Sequence, residues 1–379
     1  MQRLLGRLSG DRGIWLMIIL LMLVGVLATY SASSSVAFRN SGGDTERYLL
    51  RHLGFLALGF GVMYLTSRAD YRLFARFSKL LIVLSVGLLA YNQLFGVRIG
   101  DQAATRWISV MGISFQPSDL AKFSLMVYLA RLLTENQEQI KDFYRGFIPA
   151  IAWVVVICGL ILPSNLSTAA LCFVVSILLM YIAGISLRHM LGMAGLGAVM
   201  VLLLLSLGML GRASTWKSRI DNYTSSWTDP DHEPSFQTQQ ANIAIASGGW
   251  VGRGSGKSLQ RNYLPEAHAD FIYAIILEEY GLLGGVVVMA LYLIVLFRSV
   301  AIVTVSKTFG ALLAAGLSFL IVIQALVNMG VTTGLLPVTG LTLPLISMGG
   351  TSILFTCLSF GVILAVSRSA LQNRRLAVS

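Results

Sequence analysis

The chain has 379 residues, of which 56% are hydrophobic and 12% charged, and its formal net charge is +11. That balance excludes an ordinary soluble domain and points to a polytopic membrane protein. The positive charge is accounted for by membrane topology, so it calls for no nucleic-acid partner. Cys158, Cys172 and Cys357 all fall in expected helices, where they read as small apolar packing residues rather than disulfides. No Cys/His spacing typical of a metal site occurs.

A bilayer core takes about 20 apolar residues per helix. Ten such segments follow one another, near 14–33, 49–66, 79–96, 117–133, 146–163, 166–185, 189–210, 271–297, 309–333 and 349–367. The first is too long for a signal-peptide core and lacks a convincing small-residue cleavage site, so it counts as a helix. Basic residues gather on alternate loops. Arg3, Arg7 and Arg12 precede the first segment; Arg68, Arg72, Arg76 and Lys79 follow the second; Arg131, Lys141 and Arg145 follow the fourth; Arg368, Arg374 and Arg375 follow the last. The positive-inside rule then places both termini in the cytoplasm. The expected fold is all-α, a single transmembrane domain over 1–379 with ten helices. Residues 1–13 form a cytoplasmic N-terminal segment and 368–379 a cytoplasmic tail.

Two outward interruptions stand out. Residues 211–269, between the seventh and eighth helices, are polar and contain Trp216, Trp227, Phe236, Trp250 and Tyr263. A loop of this length is functional or disordered, and its aromatics favour a folded surface on the bilayer. Residues 334–350, between the ninth and tenth helices, are apolar but broken by Pro337, Gly340, Pro344, Gly349 and Gly350. Such a stretch cannot be one regular helix, and it reads as a re-entrant loop lining a site.

Charges near or inside the membrane carry the functional signal. Pro117 suits a first helical turn, and Asp119 and Lys122 stand at i,i+3 on one face, either as an ion pair that makes burial tolerable or as catalytic groups. Tyr263 through Phe271 places Glu266, His268 and Asp270 where the chain enters the eighth apolar segment. An Asp at a helix start is equally a cap or a catalytic acid. Glu278 and Glu279 lie about two turns deeper, where Glu278 faces the same cavity or serves as a helix-packing polar contact. Gly254-Ser255-Gly256-Lys257-Ser258 echoes the end of a P-loop, but Val251 stands where its first Gly is required. His268, Asp270 and Glu266 make too thin a ligand set for zinc.

Ser247-Gly248-Gly249, Gly252-Arg253-Gly254, Ser258 to Arg261, Tyr263 to Phe271 and Glu278 to Gly281 together resemble the SEDS family of bacterial cell-wall polymerases (shape, elongation, division and sporulation). Arg106-Trp107, Gln116 to Lys122, Phe236-Gln237 with Gln240, and Asn328 to Ser352 match further family motifs. The similarity spans nearly the whole chain, and Ser258 to His268 resemble division-type more than elongation-type members. Two departures are visible: Asn165 replaces the family's Asp at the turn after the fifth helix, and Ala269 replaces its Thr before Asp270.

The resemblance implies a peptidoglycan glycosyltransferase in the cytoplasmic (inner) membrane that polymerises lipid II into β-1,4-linked glycan. It makes Asp270 the general base, with Glu266 and His268 orienting it or binding sugar. Arg106, Lys122, Arg219 and Arg261 are the cations available to the leaving pyrophosphate, and Asp119, Gln240, Glu278 and Ser347 are supporting or substrate-binding candidates. A divalent cation such as Mg or Mn can share the pyrophosphate, although the sequence does not demand one. Implied partners are a monofunctional class B penicillin-binding protein and other division-machinery proteins. The competing readings are a lipid II flippase, an elongation-type polymerase and a non-catalytic scaffold.

Overall fold

The computed structural model describes residues 9–40, 45–95, 107–110, 113–192, 195, 197, 213–229, 234–265, 267–304 and 308–378. The protein is a helical membrane protein. Its helices in chain order are α1 Arg12–Asn40, α2 Thr45–Arg68, α3 Arg72–Phe95, α4 Pro117–Glu135, α5 Ile148–Ile161 and α6 Leu166–Ile182. They continue with α7 Ala213–Thr228, α8 Phe236–Gly248, α9 Ile272–Val303, α10 Thr308–Thr332 and α11 Thr351–Val378. Among the described residues seven helices are long and apolar enough to cross a membrane: α1, α2, α3, α5 with its preceding turn, α9, α10 and α11. The fourth expected segment is helical but carries Asp119, Lys122, Arg131 and Glu135, and α6 has only 17 residues. The seventh expected segment, 189–210, lies almost wholly outside the described residues.

Local chemistry explains several helix ends. Pro117 occupies the first turn of α4, where its missing N–H costs nothing. Asp142 caps the turn Phe143–Phe147 that leads into α5, accepting from the N–H groups of Tyr144 and Arg145 at 2.8 Å each. Asn165 caps α6 by accepting from Thr168 N at 3.2 Å. A short antiparallel hairpin that the helical reading did not anticipate pairs Ile108–Val110 with Ile113–Phe115. Its Ile-Ser-Val and Ile-Ser-Phe triplets alternate with period two, as strands require.

The chain divides into two compact units. One comprises Leu65–Lys217, Ser299–Leu320 and Ser359–Ser379. In it Phe74 meets Phe123 and Tyr128 meets Trp153 edge to face, while Ser85 Oγ donates to Ser124 Oγ at 2.9 Å. Arg368 donates to the carbonyls of Arg68 and Ala69 at 2.7 and 2.9 Å, satisfying the open end of α2.

The other unit comprises Met1–Tyr64, Ser218–Arg298 and Ile321–Leu358. Here α1 packs closely on the irregular 334–350 stretch: a Cβ at Gly25 would stand 2.6 Å from Leu345 O, and Thr29 Oγ1 donates to Ile346 O at 3.1 Å. Tyr292 of α9 donates to Pro344 O. Leu345 adopts φ +66°, a strained choice for a branched residue, inside this anchored segment. A small-residue cluster of Ala32, Ala241, Ala244, Ala267 and Ala274 with Leu264, Phe271 and Ile275 forms the core beneath the 211–269 segment. Helices α7 and α8 lie within that segment.

The long apolar run expected as one helix over 271–297 is interrupted. Gly281 takes φ +67°, ψ −171°, a conformation essentially reserved for glycine, and breaks α9. Residues 249–254 fill the break. Leu282 N donates to Gly249 O at 2.9 Å and Leu283 N to Trp250 O at 3.2 Å. In return Arg253 N and Gly254 N donate to the carbonyls of Glu278 and Glu279 at 3.0 and 2.9 Å. A Cβ on Gly248, Gly252 or Gly281 would stand under 3.0 Å from backbone atoms of the opposing segment, which is why all three are glycine.

Candidate active site

Asp270 lies two residues ahead of α9, which begins at Ile272, so it stands at the helix entrance rather than within the first turn. Its segment is pinned by three successive carbonyls. Met348 N donates to His268 O at 3.0 Å, Ser347 Oγ to Ala269 O at 2.6 Å, and Asn328 Nδ2 to Asp270 O at 2.8 Å. The pins are themselves fixed: Leu343 N donates to Ser347 Oγ at 2.8 Å, and Asn328 Nδ2 also reaches Leu341 O at 2.7 Å. Gln324, one turn away on α10, donates to Thr342 O at 2.9 Å. The irregular 334–350 backbone thus serves as a frame for residues 268–270. His268 and Asp270 remain half-buried beside Phe271, which is fully enclosed.

The two adjacent acids of α9 are both buried; the loop before them supplies most of the donors to Glu278, while Glu279 is bonded through one carboxylate oxygen only. Glu278 accepts from Ser258 Oγ at 2.5 Å, Leu259 N at 2.9 Å and Gln260 N at 3.2 Å, with Arg253 Nη1 3.6 Å away. Glu279 accepts from Ser31 Oγ of α1 and from Ser258 N at 3.3 Å. Arg261 completes the group, donating to Ser31 Oγ at 3.1 Å and Ser31 O at 3.4 Å. Burying a carboxylate without such partners costs several kcal/mol. Glu278 therefore works as the anchor of residues 253–261. Arg261, expected as a cation for a leaving group, spends hydrogen bonds on α1.

Other expected site residues are dispersed. Arg219 of α7 donates to Val338 O at 3.2 Å, joining the 211–269 segment to the 334–350 frame. Gln240 is half-buried on α8. In the other unit Lys122 Nζ and Asp119 Oδ1 form an ion pair 2.8 Å long, both side chains at least nine-tenths buried, as their spacing implied. Arg106 and Glu266 lie outside the described residues. The three cysteines are buried and unbridged. Among the described residues no three or more His, Cys, Asp or Glu side chains converge as a metal site.

Sequence reasoning singled out neither Ser31 nor Asn328 as an individual residue. A signal existed in each case: a polar side chain on an otherwise apolar segment, with Gln324 and Asn328 spaced i,i+4 on one face.

Fold and site together define an integral membrane protein with a half-buried acid held rigidly at the entrance of a span. The comparisons make the class specific. The chain belongs to the FtsW, RodA and SpoVE family of cell cycle proteins, whose model matches residues 11–372. It is 37% identical over 360 residues to a Geobacter sulfurreducens protein named "Probable peptidoglycan glycosyltransferase FtsW", covering 94% of this chain and 95% of that one. Against stage V sporulation protein E of Bacillus subtilis the identity is 34% over 369 residues, covering 95% and 97%. A chain in a solved peptidoglycan synthase complex, studied for how it coordinates polymerisation and crosslinking, superposes with a TM-score of 0.75. That match is 25% identical and covers 96% of this chain and 99% of the other.

Proposed function

We propose that this protein is a peptidoglycan glycosyltransferase that polymerises lipid II, the undecaprenyl-pyrophosphate-linked disaccharide pentapeptide, into β-1,4-linked glycan. It acts at the outer face of the cytoplasmic membrane, spans it ten times with both termini inside, and serves septal wall synthesis. Its working partner is a monofunctional class B penicillin-binding protein, a reading supported by the likeness to a chain of a peptidoglycan synthase complex. The observation that carries the assignment of chemistry is the pinning of carbonyls 268, 269 and 270, which fixes the acid at the span entrance.

In this reading the acceptor 4-hydroxyl attacks the anomeric carbon of the donor. The new C–O bond forms as the bond to pyrophosphate breaks, inverting the α-linked donor to a β product. The hydroxyl proton passes to the Asp270 carboxylate and the bonding pair leaves with the pyrophosphate. General-base help of this kind is worth about 10²–10⁴-fold. A carboxylate serves only if held within hydrogen-bond reach, and a rigid backbone supplies that geometry. His268 and Glu266 flank it in sequence as sugar-binding groups.

The test is incubation of labelled lipid II with the purified protein, with and without its cognate penicillin-binding protein, comparing wild type with Asp270→Asn. Glycan ladders from wild type and none from the folded variant are expected. Ladders that persist in the variant would make Asp270 a cap, and silence of the wild type with its partner present would refute the polymerase.

A further inference from the structure

The unit that carries Asp270 also contains a cavity of about 370 Å³ that no described residue of the 258–271 segment lines. It lies between α7, α8 and the turn that follows α10. Tyr223 of α7 donates to Leu335 O at 2.9 Å and Arg219 to Val338 O at 3.2 Å, so its walls are tied together. The cavity adjoins the acid through two structural links. Val331 on its wall is one turn beyond Asn328, which pins Asp270, a separation of about 4.5 Å along the helix. Val338, also on the wall, packs on the cluster that includes Phe271.

The lining states what the cavity can hold. Three residues with primary amides line it, Asn222, Gln237 and Asn242, and Tyr223, Thr238 and Thr333 are among those that bear hydroxyls. Among the described lining residues there is no Asp or Glu. One guanidinium, already donating to a carbonyl, is a poor seat for a phosphate, which favours several cations. The amides and hydroxyls would desolvate at a cost against an acyl chain. What remains is a neutral ligand with many donors and acceptors, since amides and hydroxyls supply both. Pro337 and Val338 add an apolar patch on which the C–H face of a sugar ring can rest. A volume near the lower limit for small-ligand sites, about 300–1,000 Å³, suits one sugar residue rather than a lipid-linked disaccharide with its peptide.

We propose that this cavity binds an N-acetylated sugar of the glycan strand, one site removed from the reacting acid. The inference rests on the polymerase reading and extends it: a strand gripped here stays with the enzyme between additions, so the cavity governs product length.

The probe is β-1,4-linked N-acetylglucosamine tetrasaccharide, titrated calorimetrically into the full-length protein in detergent without lipid II, with maltotetraose as the sugar lacking acetamido groups. Wild type binds the first and not the second. Asn242→Ala combined with Thr238→Val weakens binding roughly tenfold, as loss of two neutral hydrogen bonds implies, and shortens the glycan ladder. Gln237→Leu, made separately, acts in the same direction should the double variant fail to fold. Failure of wild type to bind, equal binding of maltotetraose, or folded variants with wild-type affinity and ladder length would each overturn the proposal. The two readings fail separately. A protein that binds the tetrasaccharide but makes no glycan refutes the polymerase, whereas one that makes glycan without binding it refutes the cavity's role.

Discussion

Asn328 offers the sharpest test of the link between architecture and chemistry. It is 1% exposed, and its single amide nitrogen holds Asp270 O at 2.8 Å and Leu341 O at 2.7 Å. Asn328→Leu keeps the volume and removes both donors. Each neutral hydrogen bond contributes about 0.5–1.5 kcal/mol net, so the pair accounts for about 1–3 kcal/mol. Thermal unfolding in detergent should fall by several degrees. The larger effect is on turnover, because a displacement of about 1 Å in a reacting group costs about 10²-fold. Lipid II consumption by Asn328→Leu is therefore expected to drop roughly a hundredfold, with KM moving far less than kcat. Thr29→Val is the control: it removes one hydroxyl bond to Ile346 O, elsewhere on the same frame. It should lose comparable stability per bond and much less turnover. If Asn328→Leu melts lower yet polymerises at the wild-type rate, the pin is merely structural and the positioning argument fails.

The remaining expectations concern the buried acids and the broken helix. Glu278→Ala deletes the acceptor shared by Ser258, Leu259, Gln260 and Arg253, and should destabilise by at least about 1–3 kcal/mol, the cost of one buried donor left unpaired. Limited proteolysis should then open residues 253–261 first, and wild-type protease resistance would refute the anchor. Gly281→Ala forces a Cβ under 3.0 Å from Trp250 O and Gly252 N in a glycine-only conformation, so expression of folded protein should collapse. Gly256→Ala, at φ +72° with nothing within 4 Å, should cost only the backbone term of about 1–2 kcal/mol. Equal losses at the two glycines would remove the steric explanation.

Much of this was legible from spacing. The Asp119–Lys122 pair follows from i,i+3 geometry, the start of α4 from Pro117, and the irregular 334–350 stretch from its prolines and glycines. The interruption of α9 was hidden because Gly281, although it follows two acids, sits in a stretch otherwise apolar enough to span, and apolarity alone reports burial rather than backbone path. The anchoring of Glu278 was hidden for a different reason. Its donors lie 18–25 residues earlier in a loop, and three of them are backbone N–H groups or a serine that carry no signature. The short hairpin escaped notice because three-residue strands are too brief for a periodic signal. Asp270 stood out because a carboxylate beside an apolar segment is costly wherever it is found.

The break at Gly281 also bears on how this protein is made. A span with a gap in its ladder presents two N–H and two C=O groups to hydrocarbon, each costing several kcal/mol if left open. Here all four are taken by residues 249–254, which leave the ribosome before the second half of α9 does. The strap is therefore already synthesised when the gap appears. The unit delivered to the bilayer is consequently 249–303 rather than the apolar helix alone. A fusion that cuts between Gly254 and Ile272 separates a membrane span from the water-side residues that complete its backbone.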